Sequence, residues 1–447
     1  MLKIFNRTIT LLMSVLMFVI NGLAFFGLFG IRRPQLLQLS RTSVITVATF
    51  FVVYYLMSRV YGGFAIGKQK SKSIIYSMAL AILGADIVTH LFMCVMDVSV
   101  NGGIFVYEQP LLLLGVFVLQ VILTSVFTKL CHLVYFGINQ PQKCLIVTFP
   151  GEDAAPLTRR VGQFKKQYKI VDVVSYNRAD IYERIDECDA VFIYEMAVSE
   201  RSAIIEYCYQ TQKDVYYSIE MTDIVSMGGS TVFFDDKSMM YSPIKELSIE
   251  HRIAKRAVDI IASGIGLLLV SPIMAIVALA IKLEDHGHVF YKQKRATYNG
   301  RIFEVYKFRS MREAGSVNRS VTKDDDRITK VGAFIRKFRI DELPQLINIL
   351  NGDMSLVGPR PEMLENVEKY TDELPEFAFR LRVKAGLTGL AQIYGKYNTS
   401  PKDKLIMDLM YIEKYSFWLD IKLILRTILV LLKSEESTEA FDETEKK

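Results

Sequence analysis

Hydrophobic residues are concentrated in five long segments, and four of these segments lie before residue 140. These four cover residues 9–30, 43–57, 74–96 and 111–136. Most are long enough to span, as helices, the roughly 30 Å hydrocarbon core of a bilayer. The first has no small-residue cleavage site and is followed by Arg32 and Arg33, so it is predicted to be a retained anchor. The pattern predicts a four-helix transmembrane domain over residues 1–140.

Charges in the loops predict how this domain is oriented. The loop after the second segment contains three lysines, Lys68, Lys70 and Lys72, whereas the loop at 97–108 contains no lysine or arginine. Because cytoplasmic loops are enriched in basic residues, the second loop is predicted to be cytoplasmic and the third external. Both ends of the domain then face the cytoplasm. This orientation places three arginines outside, against the same rule: Arg32, Arg33 and Arg41.

The third segment also carries two ionisable residues, Asp86 and His90, one helical turn apart. Such side chains are costly in lipid and face the interior of a helix bundle. They are interpreted either as a functional pair or, more simply, as groups that form hydrogen bonds inside the bundle.

Residues 141–248 have the pattern of an α/β domain. Strands are predicted at 144–149, 170–176, 190–194 and 214–218, alternating with helical stretches such as 157–167. This alternation predicts a Rossmann-like domain with a parallel sheet. The turn after the first strand, Phe149-Pro150-Gly151-Glu152-Asp153, has one glycine and two acids where a dinucleotide site needs GxGxxG. The domain is therefore expected to be structural, regulatory or involved in self-association as a homo-oligomer.

The fifth hydrophobic segment, residues 257–283, has basic residues at both ends and Ser271-Pro272 at its middle. Because proline removes a backbone donor and kinks a helix, the segment is predicted to enter one leaflet, turn at Ser271-Pro272 and return to the same face. The α/β domain and the remainder of the chain then both face the cytoplasm. A kinked transmembrane helix is the alternative.

A pair of adjacent carboxylates lies in the stretch Arg336-Lys337-Phe338-Arg339-Ile340-Asp341-Glu342-Leu343-Pro344-Gln345. Pro344 fits the first turn of a helix, so Asp341 and Glu342 are predicted at its positive N-terminal end, where a carboxylate stays ionised. An ionised Asp341 beside arginines can attack a phosphate while Glu342 holds a metal ion. The simpler interpretation is an acidic pair that caps a surface helix.

Basic residues cluster around this pair, and together they indicate a phosphate site: Lys307, Arg309, Arg312, Arg327, Arg336, Arg339 and Arg360. Arg360 lies between Pro359 and Pro361, which restrict its loop and suit bidentate capture of a phosphate. The clustering makes Arg309 and Arg339 further candidates for binding substrate phosphate.

Composition supports a membrane protein. Hydrophobic residues make up 51% of the chain and the mean hydropathy is +0.23, both high for a soluble protein. The net charge of +6 is modest, and the aromatic and basic interleaving of an RNA reader is missing, so anionic lipid and phosphate are expected partners and nucleic acid is not. The five cysteines have no CxxC spacing, which argues against a disulfide framework or a structural zinc site.

Six motifs in combination resemble the bacterial sugar transferase family, the monotopic phosphoglycosyl transferases, from about residue 255 to 431. They are KRAxDI at 255–260, Ser271-Pro272, KFRSM at 307–311, DELPQ at 341–345, GDMSLVGPRPE at 352–362 and GLTGLAQ at 386–392. The four leading segments and the α/β domain resemble the long, exopolysaccharide-type members. The resemblance implies transfer of a sugar 1-phosphate from a UDP-sugar to undecaprenyl phosphate, releasing UMP. It also implies a location in the bacterial inner membrane.

The resemblance further implies a covalent aspartyl phosphosugar intermediate, with Asp341 as nucleophile and Glu342 as ligand of Mg²⁺. Lys307 would support the nucleophile, and Arg336 and Arg360 would bind phosphate groups. Two positions depart from the family pattern, which often has glycine at Thr297 and proline at Ala385. The catalytic domain is predicted at 249–434, followed by an acidic disordered tail at 435–447.

Two other functions are alternatives to this one. A metal-dependent glycosyltransferase using Asp324 and Asp326 as a DxD motif would release UDP instead of UMP. A catalytically silent membrane scaffold, whose α/β domain binds a partner, would release neither. The tetrapeptide Asp-Glu-Leu-Pro recurs at 372–375, where it follows no arginine run and is predicted to start an ordinary helix.

Overall fold

The computed structural model describes residues 2–97, 105–107, 109–243, 248–312, 327–396 and 399–432. These residues form two compact units, Met1–Ser218 and Ile219–Lys447. The DxD candidates Asp324 and Asp326 and the acidic tail at 435–447 lie outside the described residues, as does most of the loop at 97–108.

The four leading hydrophobic segments are helical. The helices are α1 (Leu2–Arg32), α2 (Arg41–Tyr61), α3 (Ser71–Met96) and α4 (Pro110–Ile138). Each predicted segment lies inside one of them, so these elements are confirmed. Ser40 caps the start of α2 through the backbone N–H of Ser43, and Gly62 ends it with a φ of 109° that other residues rarely adopt. All four are long and apolar enough to cross a membrane, as expected of a membrane-associated protein.

Buried polar side chains join these helices to one another. Asn21 donates hydrogen bonds to the Tyr54 hydroxyl (3.1 Å) and to Thr124 Oγ1 (3.3 Å). Gln120 donates to Asp86 Oδ1 at 3.3 Å, so Asp86 makes a hydrogen bond inside the helical domain. A polar group facing hydrocarbon has no water to bond, so inward placement is the favourable arrangement for all of these residues.

A parallel sheet follows the helices. Its elements are β1 (Gln142–Thr148), α5 (Ala155–Gly162), β2 (Tyr168–Ser175), α6 (Ile181–Asp186), β3 (Ala190–Tyr194), α7 (Val198–Gln210) and β4 (Asp214–Tyr217). The strand order is β2-β1-β3-β4, and all neighbours are parallel, as predicted. Alternate residues of β1 face opposite sides. Leu145 and Val147 pack with α6 and α7, whereas Cys144 and Ile146 pack with α5, so both faces of the sheet are covered.

The second unit is rich in helices, as predicted. Its elements are α8 (Met221–Gly228), β5 (Ser230–Phe234), β6 (Lys237–Tyr241), α9 (Ile249–Asp285), β7 (Phe290–Ala296), β8 (Ile302–Phe308), α10 (Lys330–Lys337), α11 (Gln345–Asn351), β9 (Ser355–Val357), α12 (Leu364–Glu373), β10 (Gly386–Thr388), α13 (Leu390–Tyr394), α14 (Pro401–Glu413) and α15 (Phe417–Leu432). The pairs β5/β6 and β7/β8 are antiparallel, and β9/β10 is parallel. A core that includes Ile349, Met354, Phe377 and Leu423 holds the helices together.

Helix α9 runs through both Ser271 and Pro272, so the helical backbone is not interrupted at the predicted turn. Proline at 272 has no N–H for the carbonyl of Leu268, four residues earlier. The Ser271 hydroxyl donates to that carbonyl at 2.8 Å and satisfies it. The helix can therefore continue past the proline without leaving an unpaired acceptor in an apolar segment.

Two shorter elements also differ from expectation. The repeated Asp-Glu-Leu-Pro does not begin a helix, because Asp372 lies in the last turn of α12 and a 3-10 helix starts at Pro375. The fixed φ of proline suits the start of that 3-10 helix but not the interior of α12. At the first copy, Pro344 is the N-cap of α11 instead of a residue in its first turn.

Candidate active site

A sharp change of chain direction presents the carboxylate pair. Helix α10 ends at Lys337, and Arg339 then adopts a left-handed conformation with φ 55° and ψ 24°. Asp341 and Glu342 follow in a 3-10 helix, Ile340–Glu342, that precedes α11. The carboxylates thus lie in a short turn immediately before α11, near its N-terminal end as predicted. A left-handed arginine is disfavoured by the order of 1 kcal/mol, and such strain is typical of residues that shape a functional site.

Glu342 is held by two cations. Its Oε1 accepts hydrogen bonds from Lys307 Nζ at 3.0 Å and from Arg360 Nη2 at 2.8 Å. The side chain is only 13% exposed. Burial alone would raise the pKa of this carboxyl, but Arg360 and Lys307 outweigh it and hold the pKa of Glu342 far below its usual range. Glu342 is therefore a permanent anion at neutral pH.

Asp341 has different surroundings. Burial and the neighbouring charge of Glu342 raise its pKa above the ordinary value, and Lys307 and Arg336 oppose that shift only in part. Among the described residues, no side chain forms an ion pair with the Asp341 carboxylate. Two adjacent acids therefore have opposite tendencies, one fixed as an anion by direct partners and the other less acidic and without a partner. Such separation of pKa values is typical of catalytic carboxylates.

Helix α11 fixes Lys307 opposite the carboxylates. Asn348 donates to the Glu304 carbonyl at 2.7 Å and accepts from the Tyr306 N–H at 2.9 Å, so it pins β8 to α11. Lys307 follows Tyr306 on that strand and reaches Glu342. Burial lowers the pKa of Lys307, although the charge of Glu342 opposes the shift.

The loop that carries Arg360 is held from both sides. Gly358 donates to the Thr388 carbonyl at 2.8 Å, and a Cβ at this position would overlap the Lys384 carbonyl oxygen, so only glycine fits. Arg380 donates to the Arg360 carbonyl at 2.8 Å while it pairs with Asp408 at 2.8 Å. Burial raises the pKa of Asp408 to about 6, although Arg380 opposes the shift.

Helix α9 anchors the strand that leads into this loop. Lys255 donates to the Val357 carbonyl at 2.9 Å and pairs with Asp420 at 2.6 Å. Asp259 Oδ1 accepts from the Ser355 hydroxyl at 3.0 Å and from the Leu356 N–H at 2.9 Å. A buried charge that loses its partner is costly, so these pairs fix β9 to the helix.

The predicted phosphate-binding residues are only partly brought together. Arg360 and Lys307 meet at Glu342, and Arg336 is close enough to lower the pKa of Asp341. Arg309 instead pairs with Asp285 at the end of α9. Arg339 is exposed, and among the described residues neither its side chain nor that of Arg336 has a hydrogen-bond partner. Arg336 and Arg339 therefore remain available to a phosphate, whereas Arg309 is already engaged.

The donor set at Glu342 is compatible with magnesium. Both cations bind Oε1, and Oε2 has no hydrogen-bond partner among the described residues. Magnesium is usually held by one or two carboxylates together with substrate phosphates, not by a full protein cage. Within the described part of the chain no cluster of three or more metal-ligating side chains occurs.

Comparison with known proteins places this site in a family. The family model described as Bacterial sugar transferase matches residues 250–434. The UDP-glucose:undecaprenyl-phosphate glucose-1-phosphate transferase of Caulobacter vibrioides is 38% identical over 202 residues, which are 44% of this chain and 75% of that protein. The chain belongs to the bacterial sugar transferase family. It is therefore an enzyme of the transferase class.

Two longer bacterial sugar transferases match the same extent of chain. The Escherichia coli UDP-glucose:undecaprenyl-phosphate glucose-1-phosphate transferase is 42% identical over 189 residues, covering 41% of each protein. The galactosyl transferase CpsE of Streptococcus agalactiae is 42% identical over 213 residues, covering 44% of this chain and 46% of CpsE. The alignments thus cover less than half the length of these two relatives.

Two supporting groups of this bacterial sugar transferase were missed from the sequence. Arg380 and Asp408 are 3% and 1% exposed and hold the Arg360 loop from behind. Arg295 donates to the Pro361 carbonyl at 3.2 Å on the same loop. Arg380 and Asp408 lie outside the six motifs, and their partners are distant in sequence. Arg295 lies near the end of β7, and the basic residues of that strand were a signal that it could bind an acceptor group. Sequence spacing did not show that its partner is the Pro361 carbonyl.

Proposed function

We propose that the chain transfers a sugar 1-phosphate from a UDP-sugar to undecaprenyl phosphate and releases UMP, as the first membrane step of exopolysaccharide or capsule synthesis. The observation that carries the proposal is the half-buried Asp341 carboxylate, which has no ion-pair partner among the described residues and lies beside an anion, Glu342, that two cations hold in place. The names of the Caulobacter and Escherichia coli relatives specify this acceptor and UDP-glucose as donor.

In the first step, an Asp341 carboxylate oxygen attacks the sugar-side phosphorus of the UDP-sugar. The new bond joins Asp341 to that phosphorus, and the bond between the phosphorus and the bridging oxygen breaks. UMP leaves with the electron pair, and the sugar phosphate stays on Asp341. Arg360, fixed by Glu342 and Arg380, would stabilise the negative charge of the phosphates, together with Arg336, whose side chain has no hydrogen-bond partner in the described part of the chain.

In the second step, a phosphate oxygen of undecaprenyl phosphate attacks the same phosphorus. The bond to Asp341 breaks, the carboxylate is regenerated, and the product is undecaprenyl diphosphate sugar. Lys307, close to both acids, stabilises the carboxylate as it is released. Glu342 is the residue that would hold magnesium, which when bound supplies positive charge to the donor diphosphate.

The arrangement of α9 supports placing it in one leaflet as a re-entrant helix. Its N-terminal part is fixed to β9 and α15 through Lys255, and its C-terminal end to the start of α10 through Glu284, which accepts from the Lys330 N–H at 2.8 Å. A crossing helix would bring its ends to opposite surfaces, roughly 30 Å apart across the hydrocarbon. One domain bound to both ends fits a helix that stays on one side.

The membrane orientation follows from the same placement. The catalytic unit would face the cytoplasm of the inner membrane, where UDP-sugars are available. One of the arginines that opposes this orientation, Arg33, pairs with Asp97, which offsets its charge. The exposed apolar residues of α9, among them Ile261, Leu268 and Ile276, would contact lipid.

The test measures the nucleotide released from a panel of UDP-sugars, with undecaprenyl phosphate and Mg²⁺, for the wild type and two variants. Asp341→Asn removes the proposed nucleophile, so UMP release should fall by about 10⁴-fold or more. Asp372→Asn is the matched control, because this aspartate starts the second Asp-Glu-Leu-Pro and is exposed at the end of α12. It should behave as the wild type.

The other outcomes distinguish the alternatives. Release of UDP would replace the proposal with the DxD glycosyltransferase, and full activity of Asp341→Asn would remove this residue as nucleophile. Absence of nucleotide release with every donor would favour the silent scaffold. A mass increase on Asp341 after incubation with donor alone, equal to one sugar phosphate, would independently support the covalent intermediate.

A further inference from the structure

Helix α10 presents two aromatic rings to the outside. Phe334 and Phe338 are 58% and 49% exposed, and their ring centroids lie 5.0 Å apart. They are one helical turn apart and therefore share a face. An adjacent face carries the buried Ile335, which packs against Val277 and Ile281 of α9. The aromatic surface, defined as Phe334 and Phe338, is thus not used to hold α10 in the fold.

Cations adjoin the aromatic surface. Arg336, Lys337 and Arg339 lie within the same short stretch, and Lys337 Nζ lies 5.7 Å from the centre of the Phe338 ring. Among the described residues, no carboxylate lies within ion-pair distance of these three side chains. An unpaired positive group beside an exposed apolar one matches a ligand that is itself an anion on an apolar chain.

The aromatic surface lies close in the chain to the proposed nucleophile. The chain passes directly from Phe338 to Asp341, with Arg339 and Ile340 between them. The helix also packs on the C-terminal half of α9, whose outward residues include Ile273 and Ile276. The aromatic surface therefore lies beside both the proposed nucleophile and an exposed apolar helix.

We infer that Phe334 and Phe338 bind the isoprenoid units next to the phosphate of the polyprenyl phosphate acceptor, while Arg336 and Arg339 bind that phosphate. The inference rests on the proposed function, because it assigns a surface to the acceptor of that reaction. It adds that the acceptor approaches Asp341 along α10. The two rings are assigned to the acceptor and serve the second step, whereas stacking of the donor's uracil ring on them would predict a loss of UMP exchange.

The test separates the two half-reactions of the full-length protein in detergent. Phe334→Ser combined with Phe338→Ser removes the aromatic surface, and the matched control is Trp418→Ser, which removes an aromatic side chain that is 75% exposed on α15. The double variant should raise the KM for undecaprenyl phosphate about tenfold, the effect of losing on the order of 60 Å² of apolar contact. Exchange of labelled UMP into the UDP-sugar, which needs no acceptor, should be unchanged.

Two more measurements keep the inference testable. Replacing both phenylalanines by leucine should restore most of the acceptor affinity, because leucine retains apolar area. A polyprenyl phosphate with a diazirine on its first isoprene unit should cross-link to α10 in the wild type and much less in the serine variant. This measurement does not need turnover, so it reports on the surface even if the proposed reaction fails.

Several results would overturn the inference. An unchanged KM in the double variant, an equal loss of exchange and transfer, or cross-linking that avoids α10 would each do so. A parallel loss of binding to phosphatidylglycerol vesicles would assign the rings to the bilayer in general. Failure of the wild type to exchange UMP with any donor would instead contradict the proposed function and leave the cross-linking result to decide the inference.

Discussion

At the scale of single residues, the proposed reaction depends on an aspartate whose surroundings disfavour its reactive form. Asp341 must be ionised to attack phosphorus, yet burial and Glu342 raise its pKa. An ionised carboxylate that is partly desolvated and lacks a partner is a stronger nucleophile than one tied up in an ion pair. Glu342 takes the direct contacts of Lys307 and Arg360 and so leaves Asp341 free to react.

Removing the negative neighbour of Asp341 and removing its positive neighbour should shift the pH profile of activity in opposite directions. Activity should rise with pH through the pKa of Asp341. Glu342→Gln removes a negative charge that raises this pKa, so the acid limb should move to lower pH. Lys307→Met removes a positive charge that lowers it, so the limb should move to higher pH. The pH dependence of UMP exchange, which needs no acceptor, measures the acid limb of each variant.

The two variants serve as controls for each other. Both remove one partner of the same ion pair, so a general disturbance of the site would move both limbs in one direction or lower the rate without moving either. Either pattern would show that Asp341 does not set the acid limb. The comparison uses normalised profiles, because Glu342→Gln also removes the proposed magnesium ligand.

The same scale shows how far motifs can predict a site. Asp341, Glu342, Lys307 and Arg360 are brought together as expected. Arg309 was grouped with them because it belongs to the same cluster of basic residues. It lies just beyond the end of β8, and its side chain pairs with Asp285 of α9. Sequence spacing identified the cluster but could not tell which cations already had a partner.

At the scale of elements, the two departures from the family pattern compensate each other. Thr297, 1% exposed after β7, donates from its hydroxyl to the Asp353 carbonyl at 3.0 Å. The same hydroxyl accepts from the Ala385 N–H at 3.1 Å, just before β10. A proline at 385 would have no N–H and would need no acceptor, so glycine could stand at 297. The threonine and the alanine thus form one hydrogen-bonded unit.

This unit should show coupling in a double-mutant cycle. Thr297→Gly leaves the buried Ala385 N–H without a partner, which should cost about 1–3 kcal/mol. Ala385→Pro in that background removes the unpaired donor, so the double variant should recover on the order of 1 kcal/mol relative to additivity. The unfolding midpoint in detergent measures the effect.

A second hydroxyl in the same region provides the control for this cycle. Thr388 shares a hydrogen bond of 2.7 Å with Thr427 and makes none with Ala385. Thr388→Val should therefore add to Ala385→Pro without coupling. Additive behaviour of Thr297→Gly with Ala385→Pro would show that the two departures are independent.

Secondary-structure elements were predicted most accurately where the hydrophobic pattern alone determines them. The parallel strands alternate with helices, and the central strands β1 and β3 are buried on both faces, so their hydrophobic runs mark them closely. The third strand matches Ala190–Tyr194 at both ends. The helical backbone continues through Ser271-Pro272, where one serine hydroxyl replaces the bond that proline lacks, and the re-entrant course of α9 stays a prediction. A single side-chain contact of this kind leaves no trace in hydropathy.

At the scale of the whole molecule, the side of the membrane on which each segment lies remains a prediction that depends on α9. If α9 crosses the bilayer, its two ends lie on opposite sides, and the donor could reach only one end. If it re-enters, both ends are cytoplasmic, as the basic residues around residues 252–256 and Lys282 favour. The native cysteines are buried, so cysteines introduced at exposed positions would report with little background.

Cysteine labelling decides between these arrangements. Glu250→Cys and His288→Cys place exposed thiols at the two ends of α9. A membrane-impermeant maleimide should label both in inverted vesicles and neither in intact spheroplasts. Leu39→Cys, at a residue that is 98% exposed in the first loop, should give the reverse result as the external reference. Labelling of Glu250→Cys and His288→Cys from opposite sides would mean that α9 crosses, and the single-leaflet placement would have to be abandoned. The contacts of α9 with β9 at one end and α10 at the other oppose that result, because one folded unit would then have to extend through the hydrocarbon core.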